Sequence, residues 1–275
     1  MKRPQSKSSD RRKKTGLARA ISKLGYCSRS QAVEEIRAGR VRVNDVVRRN
    51  PETPLLLGSD RITIQGKTVG AAAPVYLMMN KTRGLVTTAS DEKNRPTVYS
   101  LLPPGTPWVS PVGRLDQASE GLLLFTNDSE WAAAITAPES HLDKAYHVQI
   151  SAIADERLLE LLRKGITTPQ GDFLQGKSVK ALRTGGSNSW IEIILDEGKN
   201  RQIRRMLEQC GVEVLRLVRV AVGPLVLGDL AKGTCRVLSK NEKFSLDRAL
   251  AVREISGSSR NNGENGGTEG MPGAK

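Results

Sequence analysis

Short apolar runs bounded by glycine and proline recur along the chain, and two of them flank a polar loop. Trp108-Val109 and Val112 precede this loop, and Leu122-Leu123-Leu124-Phe125 follows it. Runs this short and this apolar predict buried strands. We therefore expect the loop at 113–119 to project from the middle of a sheet, where the backbone is held stiffly.

The first part of the chain has the pattern of two helices followed by a hairpin. Apolar residues at helical spacing predict a helix over 17–24, and a second helix over 28–39 begins at Ser28, a residue type that caps helices. Alternation over 40–47 then predicts a strand that enters a hairpin turn at Asn44-Asp45.

The same reading predicts further strands and helices beyond a linker at 71–74, separated by a loop-rich stretch at 82–107 and a glycine-rich stretch at 165–188. The predicted strands are 75–81, 144–150, 190–195 and 214–220, and the predicted helices are 129–137, 155–164 and one that begins after Asn200.

The helix after Asn200 carries three arginines whose directions follow from its buried stripe. That stripe consists of Ile203, Met206, Leu207 and Cys210. At about 100° per residue, Arg204 lies beside the stripe, Arg205 points to the far side and Arg201 lies between them. Arg204 is therefore the arginine expected to reach inward to a buried carboxylate.

The charge balance favours nucleic acid as the partner. The 275 residues include 43 Lys/Arg and 29 Asp/Glu, a net charge of +14 with a pI near 10.0. Residues 1–60 hold 15 Lys/Arg and 6 Asp/Glu, so +9 of that excess lies at the N-terminus. A field of this sign attracts RNA or an anionic membrane. No apolar run approaches the roughly 18 residues of a membrane span, so nucleic acid is the better candidate.

The chain ends and the cysteine content complete the organisation. Residues 1–15 predict a disordered basic arm, and 256–275 predict a disordered polar tail. Three isolated cysteines and two histidines favour neither a disulfide framework nor a zinc site. They are typical of a protein of the reducing cytoplasm that holds no metal.

The loop at 113–119 carries the candidate chemistry. Arg114 and Asp116 lie on it, with Ser119 and Glu120 beside them. A guanidinium beside a carboxylate keeps it ionised, and an ionised carboxylate on a stiff loop is a plausible nucleophile or base. The alternative is an Arg–Asp pair that only pins a turn, and spacing alone leaves both interpretations open.

The stretch from Gly113 to Asp128, GRLDQASEGLLLFTND, resembles the active-site signature of pseudouridine synthases. It is similar to the branch that modifies ribosomal RNA and often carries an S4-type domain. The resemblance implies that Asp116 is the catalytic carboxylate. It also implies that Tyr146, in a Lys-x-Tyr motif, stacks on the target base and assists proton removal, that Arg204 pairs with Asp116, and that Leu217 packs against the base.

The segment LARAISKLGYCSRSQAVEEIRAGRVRVN resembles the S4-type RNA-binding domain, except that Asn44-Asp45 stands where Asn-Gly is usual. The RNA-binding residues implied in this domain are Arg19, Lys23, Ser28, Arg29, Arg37 and Arg40. Those implied beyond it are Arg83, Arg114, Lys199, Arg201, Arg205 and Arg219. Arginine and lysine contacts to phosphate give affinity that is sensitive to salt and largely independent of sequence.

Together the resemblances imply an α+β chain. An S4-type domain at 16–70 would precede a catalytic domain at 75–255, built on a mixed, mostly antiparallel sheet with flanking helices. The implied reaction is isomerisation of uridine to pseudouridine in ribosomal RNA by a cytoplasmic monomer without cofactor. The 23S RNA is favoured as the target, and the 16S RNA is the alternative. The substrate is either free RNA or a ribosomal subunit assembly intermediate.

Two other functions remain open at this stage. A non-catalytic ribosome-assembly factor would share the fold and the basic N-terminus but has no need of Asp116, Tyr146 and Arg204 together. A glycoside-type hydrolase would need a second carboxylic acid aligned with Asp116, and Glu120 is the available residue. Release of free base distinguishes the hydrolase from an isomerase.

Overall fold

The structure is a computed structural model that describes residues 14–258. It divides into two compact units. The first comprises the described residues up to Val75 together with 104–110 and 126–129, and the second comprises 76–103, 111–125 and the residues from 130 onward. No helix within the described range is long and apolar enough to cross a membrane.

The first unit packs two helices on a small antiparallel sheet. Its elements are β1 (Thr15–Gly16), α1 (Leu17–Lys23), α2 (Arg29–Arg37), β2 (Val41–Val43), β3 (Val46–Val47), β4 (Pro54–Leu55), β5 (Ile62–Ile64) and β6 (Lys67–Val69). Strands β3-β2-β5-β6 form the sheet, and β1 pairs with β4. Its core is fully buried and includes Leu17, Ile21, Ile36, Val41 and Ile64.

The predicted local signals in this unit are confirmed. Ser28 caps α2 in a reciprocal pair with Gln31, because the Gln31 amide donates to Ser28 Oγ at 3.1 Å and the Ser28 amide donates to Gln31 Oε1 at 3.0 Å. Asn44 and Asp45 both have positive φ, 49° and 65°, as a tight hairpin turn requires. Thr15 lies in β1 rather than in a disordered arm; residues 1–13 of that arm are outside the described residues.

The second unit is built on a nine-stranded sheet. Its strands are β7 (Tyr76–Lys81), β8 (Ser110–Val112), β9 (Glu120–Thr126), β10 (Lys144–Ile150), β13 (Ser178–Thr184), β14 (Ser189–Leu195), β15 (Val214–Val222), β16 (Leu225–Val226) and β17 (Cys235–Val237). The order is β13-β14-β10-β15-β9-β7-β17, with β16 on β15 and β8 on β9. Strands β15 and β9 run parallel, whereas β13–β14, β14–β10, β10–β15 and β7–β17 are antiparallel. The mixed, mostly antiparallel sheet is thus confirmed.

Four helices and a small hairpin complete this unit. They are α3 (Ser129–Thr136), α4 (Glu156–Lys164), α5 (Gln202–Gln209), α6 (Lys240–Ser258) and the hairpin of β11 (Ile166–Thr167) with β12 (Phe173–Leu174); Val98–Leu101 and Pro138–Ser140 are short 3-10 helices. Helices α4 and α5 pack against β10, β14 and β15. Helices α3 and α6 pack against the half of the sheet that contains β7 and β9.

Strands β15 and β9 meet over two residue pairs, Val218 with Glu120 and Arg219 with Gly121. Gly121 has a φ of 101°, and a Cβ at this position would lie 2.2 Å from the Arg219 carbonyl oxygen. Only glycine permits so close an approach. The loop at 113–119 ends at this junction in the middle of the sheet, as expected.

Several predicted elements differ from the structure. Trp108-Val109 is not a strand, because β8 begins at Ser110. Pro107, directly before this segment, has no amide hydrogen to donate to a ladder. The glycine-rich stretch 165–188 contains β11, β12 and all of β13. Helix α6 was not predicted, and it continues to Ser258, past the expected boundary at 255.

Candidate active site

Asp116 lies on the loop 113–119 between β8 and β9, which we call the Asp116 loop. Its backbone is anchored on the segment after β7. Thr87 Oγ1 donates to the Leu115 carbonyl at 2.7 Å and accepts from the Leu115 amide at 3.3 Å. The Gly84 amide donates to the Gln117 carbonyl at 2.8 Å. The loop-rich stretch after β7 therefore fixes the position of Asp116.

A buried lysine at the end of β7 also binds the backbone of the Asp116 loop. Lys81 is fully buried, and its Nζ donates to the carbonyls of Thr82, Asp116 and Ser119 at 3.1, 3.1 and 2.7 Å. Three carbonyl acceptors match the three donors of an ammonium group. Burial lowers the pKa of Lys81 to about 8, against the opposing attraction of Asp116 and Glu120.

The carboxylate of Asp116 pairs with Arg201, not with Arg114 or Arg204. Arg201 Nη1 lies 3.5 Å from Asp116 Oδ2, and both side chains are partly open to solvent. Within the described part of the chain this is the ion pair that Asp116 makes. Arg114 is exposed, so the expected Arg114–Asp116 pair is wrong.

The Arg204 side chain contacts a backbone carbonyl of the Asp116 loop. Its Nη2 donates to the Ala118 carbonyl at 3.1 Å and its Nη1 to the Val214 carbonyl at 3.4 Å. Among the described residues its buried Nε has no hydrogen-bond partner. Burial lowers the pKa of Arg204. The nearby charges of Arg201 and Arg83 lower it further, whereas the charge of Asp116 raises it.

The start of α5 explains why Arg201 takes the carboxylate. Arg201 has a left-handed backbone (φ 48°) and is the residue before the helix, which begins at Gln202. The helix therefore begins one residue later than a start directly after Asn200. The Gln202 side chain accepts from the Lys199 amide at 3.3 Å and donates to Glu197 at 2.8 Å. Arg201 thus projects from a turn, and a helical projection does not describe its direction.

Tyr146 and Leu217 lie on the sheet face covered by α4 and α5. Tyr146 on β10 is opposite Arg219 on β15, which is opposite Gly121 on β9. Tyr146 is half-buried and packs against the apolar cluster that contains Leu217. The register therefore places Tyr146, Arg219 and the end of the Asp116 loop in one row across three strands.

Three of the basic residues predicted to contact RNA make bonds within the protein. Arg219 is buried, and its Nε donates to the Leu122 carbonyl at 2.8 Å. Arg205 forms an ion pair with Asp172, and Lys199 Nζ donates to the Phe173 carbonyl at 2.8 Å. Within the second unit, the exposed members of the predicted set are Arg83, Arg114, Lys199 and Arg201.

In the first unit, most of the predicted RNA-binding side chains are exposed. The exposed ones are Arg19, Lys23, Arg29, Arg37 and Arg40. Arg40 is engaged with Glu35 through bonds of 2.7 and 3.0 Å. The Ser28 hydroxyl accepts the capping bond from Gln31.

The sequence analysis missed Lys81 and the partners of Glu120. Arg216 binds both carboxylate oxygens of Glu120, at 2.7 and 2.8 Å, and Lys232 lies 3.2 Å away. The hydrogen bond from Arg216 and, after it, the one from Lys232 hold the pKa of Glu120 below its usual value. A charged residue that ends a mostly apolar strand is the signal that marks Lys81.

Comparison with known proteins identifies the two parts of the chain. Residues 75–209 match the family model described as RNA pseudouridylate synthase, and residues 15–70 match that of the S4 domain. The chain is 36% identical to the ribosomal large subunit pseudouridine synthase B of Bacillus subtilis (strain 168), over 86% of this chain and 96% of that protein. Its identity to the Haemophilus influenzae protein of the same name is 32%, over 88% and 68% of the two chains.

A solved structure gives the same result for the fold. The crystal structure of a pseudouridylate synthase superposes with a TM-score of 0.59 at 26% identity, covering 84% of this chain and 99% of that one. The length and identity of the Bacillus match, together with the two family models, establish the relationship. This chain belongs to the RNA pseudouridylate synthase family and carries an N-terminal S4 domain.

Proposed function

We propose that this protein isomerises uridine to pseudouridine in ribosomal RNA of the large subunit, with Asp116 as the catalytic carboxylate and no cofactor. The observation that carries the proposal is the Asp116 loop. Its backbone is held by a fully buried lysine, Lys81, and by Arg204, while its carboxylate is partly exposed beside Arg201. The names of the relatives support the large subunit as the target.

The reaction requires one carboxylate near the sugar and base of an extruded nucleotide. The N1–C1′ bond breaks, the uracil turns within the pocket, C5 bonds to C1′, and the C5 proton is removed while N1 gains a proton. Asp116 acts either as the nucleophile or as the base that takes a sugar proton; both roles need it ionised. Arg201 is the cation within ion-pair distance of the Asp116 carboxylate, at 3.5 Å.

Arg204 is a positioning residue with one unpaired hydrogen-bond donor. Its buried Nε lacks an acceptor among the described residues, and an unpaired buried donor is costly. An acceptor from the bound nucleotide would satisfy it. Binding of substrate would therefore remove a penalty that the free protein bears.

Tyr146 and Leu217 would form the wall against which the target base packs. The half-buried ring of Tyr146 provides an aromatic surface, and the buried Leu217 lies on the same face of the sheet. An extruded base requires such an apolar, aromatic lining. We assign the row of Tyr146, Arg219 and Gly121 to the floor of this site.

The exposed cations are proposed as phosphate contacts. They are Arg19, Lys23, Arg29 and Arg37 in the S4 domain and Arg83, Arg114 and Arg201 in the catalytic domain. Lys199, Arg205 and Arg219 are reassigned to holding structure because their donors are engaged within the protein. We also propose that the protein is a cytoplasmic monomer and acts on free RNA or an assembling subunit.

The competing functions are less well supported. Glu120 is held by Arg216 and Lys232 with a lowered pKa, so it is not available as the second, protonated carboxyl of a hydrolase. A non-catalytic binder has no use for the buried cations beneath Asp116.

The test is to map pseudouridines in ribosomal RNA from cells with and without this protein and to repeat the reaction with purified chain. We expect one or a few large-subunit positions to lose pseudouridine in its absence. The purified chain should restore them without change of RNA mass and without free uracil. An unchanged map, or release of uracil, contradicts the proposal.

A further inference from the structure

The half of the sheet formed by β13, β14, β10 and β15 has a second face, opposite the one covered by α4 and α5. Side chains alternate along a strand, so this face carries the neighbours of the buried residues. These neighbours are partly or fully exposed and mostly polar, and we call them the polar face: Lys180, Arg183, Trp190, His147, Gln149 and Arg216.

Trp190 is the centre of the polar face. The guanidinium of Arg183 lies 5.1 Å from the centroid of its ring and that of Arg216 lies 5.8 Å away. Trp190 belongs to none of the hydrophobic clusters found within residues 14–258. A partly exposed indole between two arginines is the combination that proteins use to stack the bases of single-stranded nucleic acid.

The charge of this region suits a polyanion. Two carboxylates are each shared by two basic groups, Glu192 by Lys180 and His147 and Glu120 by Arg216 and Lys232. Arg183, in the described part of the chain, pairs with no carboxylate. Four Lys/Arg side chains thus accompany two neutralised carboxylates, which leaves a positive surface around the tryptophan.

Amide groups lie next to the ring and can read a base edge. Gln149 on β10 is opposite both Trp190 and Arg216 in the register, and its Nε2 is 3.4 Å from Asn188 Oδ1. Amide side chains both donate and accept, so they suit the mixed edges of unpaired bases. An acidic peptide would use the cations but not the indole face or the amides.

We propose that the polar face binds an unpaired segment of the substrate RNA, with a base stacked on Trp190 and phosphates near Arg183 and Lys180. This inference rests on the proposed function. The face is linked to the Asp116 loop through Glu120, the first residue of β9, which Arg216 binds. Strands β9 and β14 are three strand spacings apart, about 14 Å, so one RNA can reach both.

Fluorescence of the full-length chain provides the direct test. The chain has three tryptophans, Trp108, Trp131 and Trp190, and stacking on a base quenches an indole. We titrate with a single-stranded oligoribonucleotide of mixed sequence and with a blunt duplex of the same length. The single strand should quench the wild type. Trp190→Phe should lose most of the quench and retain affinity within about threefold, because a smaller ring still stacks.

Affinity measurements separate stacking from charge. Trp190→Ala should bind the single strand about tenfold more weakly and the duplex unchanged. Arg183→Gln should lower the slope of log affinity against log salt by up to one. The matched controls are Phe244→Ala, an exposed ring on α6, and Arg157→Gln, an exposed arginine on α4. Thermal melting checks that each variant is folded.

Turnover separates this inference from the proposed function. On a short hairpin that contains the mapped uridine, the kcat/KM of Trp190→Ala should equal that of the wild type. On RNA with its natural single-stranded flanks, the kcat/KM of the variant should be about tenfold lower. If folded Trp190→Ala shows the same quenching and the same RNA affinity as the wild type, the contacts of Trp190 with Arg183 and Arg216 are only structural and the inference is overturned. Absence of turnover by the wild type on either RNA would contradict the proposed function instead.

Discussion

Two arginines three positions apart serve the same carboxylate in different ways. Arg201 pairs with Asp116 directly but is about half-exposed, at 51%. Arg204 does not touch the carboxylate within ion-pair distance, yet its buried guanidinium binds the Ala118 carbonyl of the same loop. Exposed ion pairs contribute little, whereas buried charged hydrogen bonds contribute more. The residue that matters more for geometry is therefore Arg204.

We predict that Arg204→Gln lowers kcat about 100-fold or more, because the Asp116 loop loses a preorganised cation. Arg201→Gln should lower kcat only a few-fold, since its pair is open to solvent. Single-turnover rates at saturating RNA measure both. Equal losses in the two variants, or a larger loss in Arg201→Gln, would contradict the distinction.

The sequence could identify these residues but not their pairing. The apolar stripe of α5 correctly indicated that Arg204 points inward. The pairing of Arg201 depends on one left-handed residue, with φ 48° at Arg201 itself. Nothing in the pattern of polar and apolar positions encodes that turn, because left-handed backbone is uncommon for arginine.

At the level of elements, β7 supports the active site by means of its last residue. Lys81 donates three hydrogen bonds, to the carbonyls of Thr82, Asp116 and Ser119. Two of them belong to the Asp116 loop itself. The strand thus serves both as a core element and as the anchor of the catalytic loop.

This anchor predicts a pH dependence of stability. The folded-state pKa of Lys81 is about 8, below the usual 10.5, so between these values the unfolded chain binds more protons than the folded one. The free energy of unfolding therefore gains a contribution that rises with pH from about 8 to about 10.5 and is flat below it.

Lys81→Met removes that contribution together with the three hydrogen bonds. Thermal melting at about pH 7 and about pH 9.5 compares the two proteins. The variant should be less stable than the wild type by a larger margin at the higher pH, where the Lys81 of the wild type is neutral and its burial costs less. A deficit that is constant or shrinks would show that Lys81 titrates normally.

Helix α5 also fixes the β11–β12 hairpin. Arg205 pairs with Asp172 and donates to Thr168 Oγ1 at 3.4 Å, and Lys199 binds the Phe173 carbonyl. Lys199 and Arg205, which the sequence suggested as phosphate contacts, thus both bind the β11–β12 hairpin. The Arg205 side chain is 24% exposed, consistent with that role.

We predict that Arg205→Gln lowers the free energy of unfolding by about 1 kcal/mol and leaves the salt dependence of RNA affinity unchanged. Chemical denaturation and a salt titration of binding measure the two effects. Asp172→Asn is the matched partner and should destabilise to a similar extent. A fall of about one in the salt slope of Arg205→Gln would instead restore it as a phosphate contact.

Elements with strong periodicity were predicted well and short ones were not. Strands β7 and β10 and helices α1 and α2 follow from their patterns. Strands β11 and β12 are two residues each, too short to carry a period. Helix α6 had a usable signal, the Ser239–Glu242 capping box, in which the Glu242 amide donates to Ser239 Oγ at 3.2 Å.

For the whole molecule, the net charge of +14 predicts RNA affinity that falls steeply with salt. The S4 domain should supply much of this dependence, because Arg19, Arg29 and Arg37 are exposed while Arg40 is paired with Glu35. The composition alone predicted the class of partner. It did not predict which cations are free, since ion pairs depend on tertiary contacts.

We predict that the double variant Arg19→Gln/Arg29→Gln lowers the slope of log affinity against log salt by about two. Arg40→Gln, the control, should lower it by less than one because Glu35 already compensates that charge. Binding at four or more salt concentrations gives the slopes. Equal changes in the two variants would contradict the assignment of the S4 surface.

The central claim is that the carboxylate of Asp116 performs the isomerisation. Asp116→Asn is nearly isosteric and the loop is held through backbone carbonyls, so the variant should fold and bind RNA with affinity close to wild type. Pseudouridine formation by the purified variant under single-turnover conditions is the decisive measurement. The account predicts no detectable product, and product at a rate near that of the wild type would contradict it.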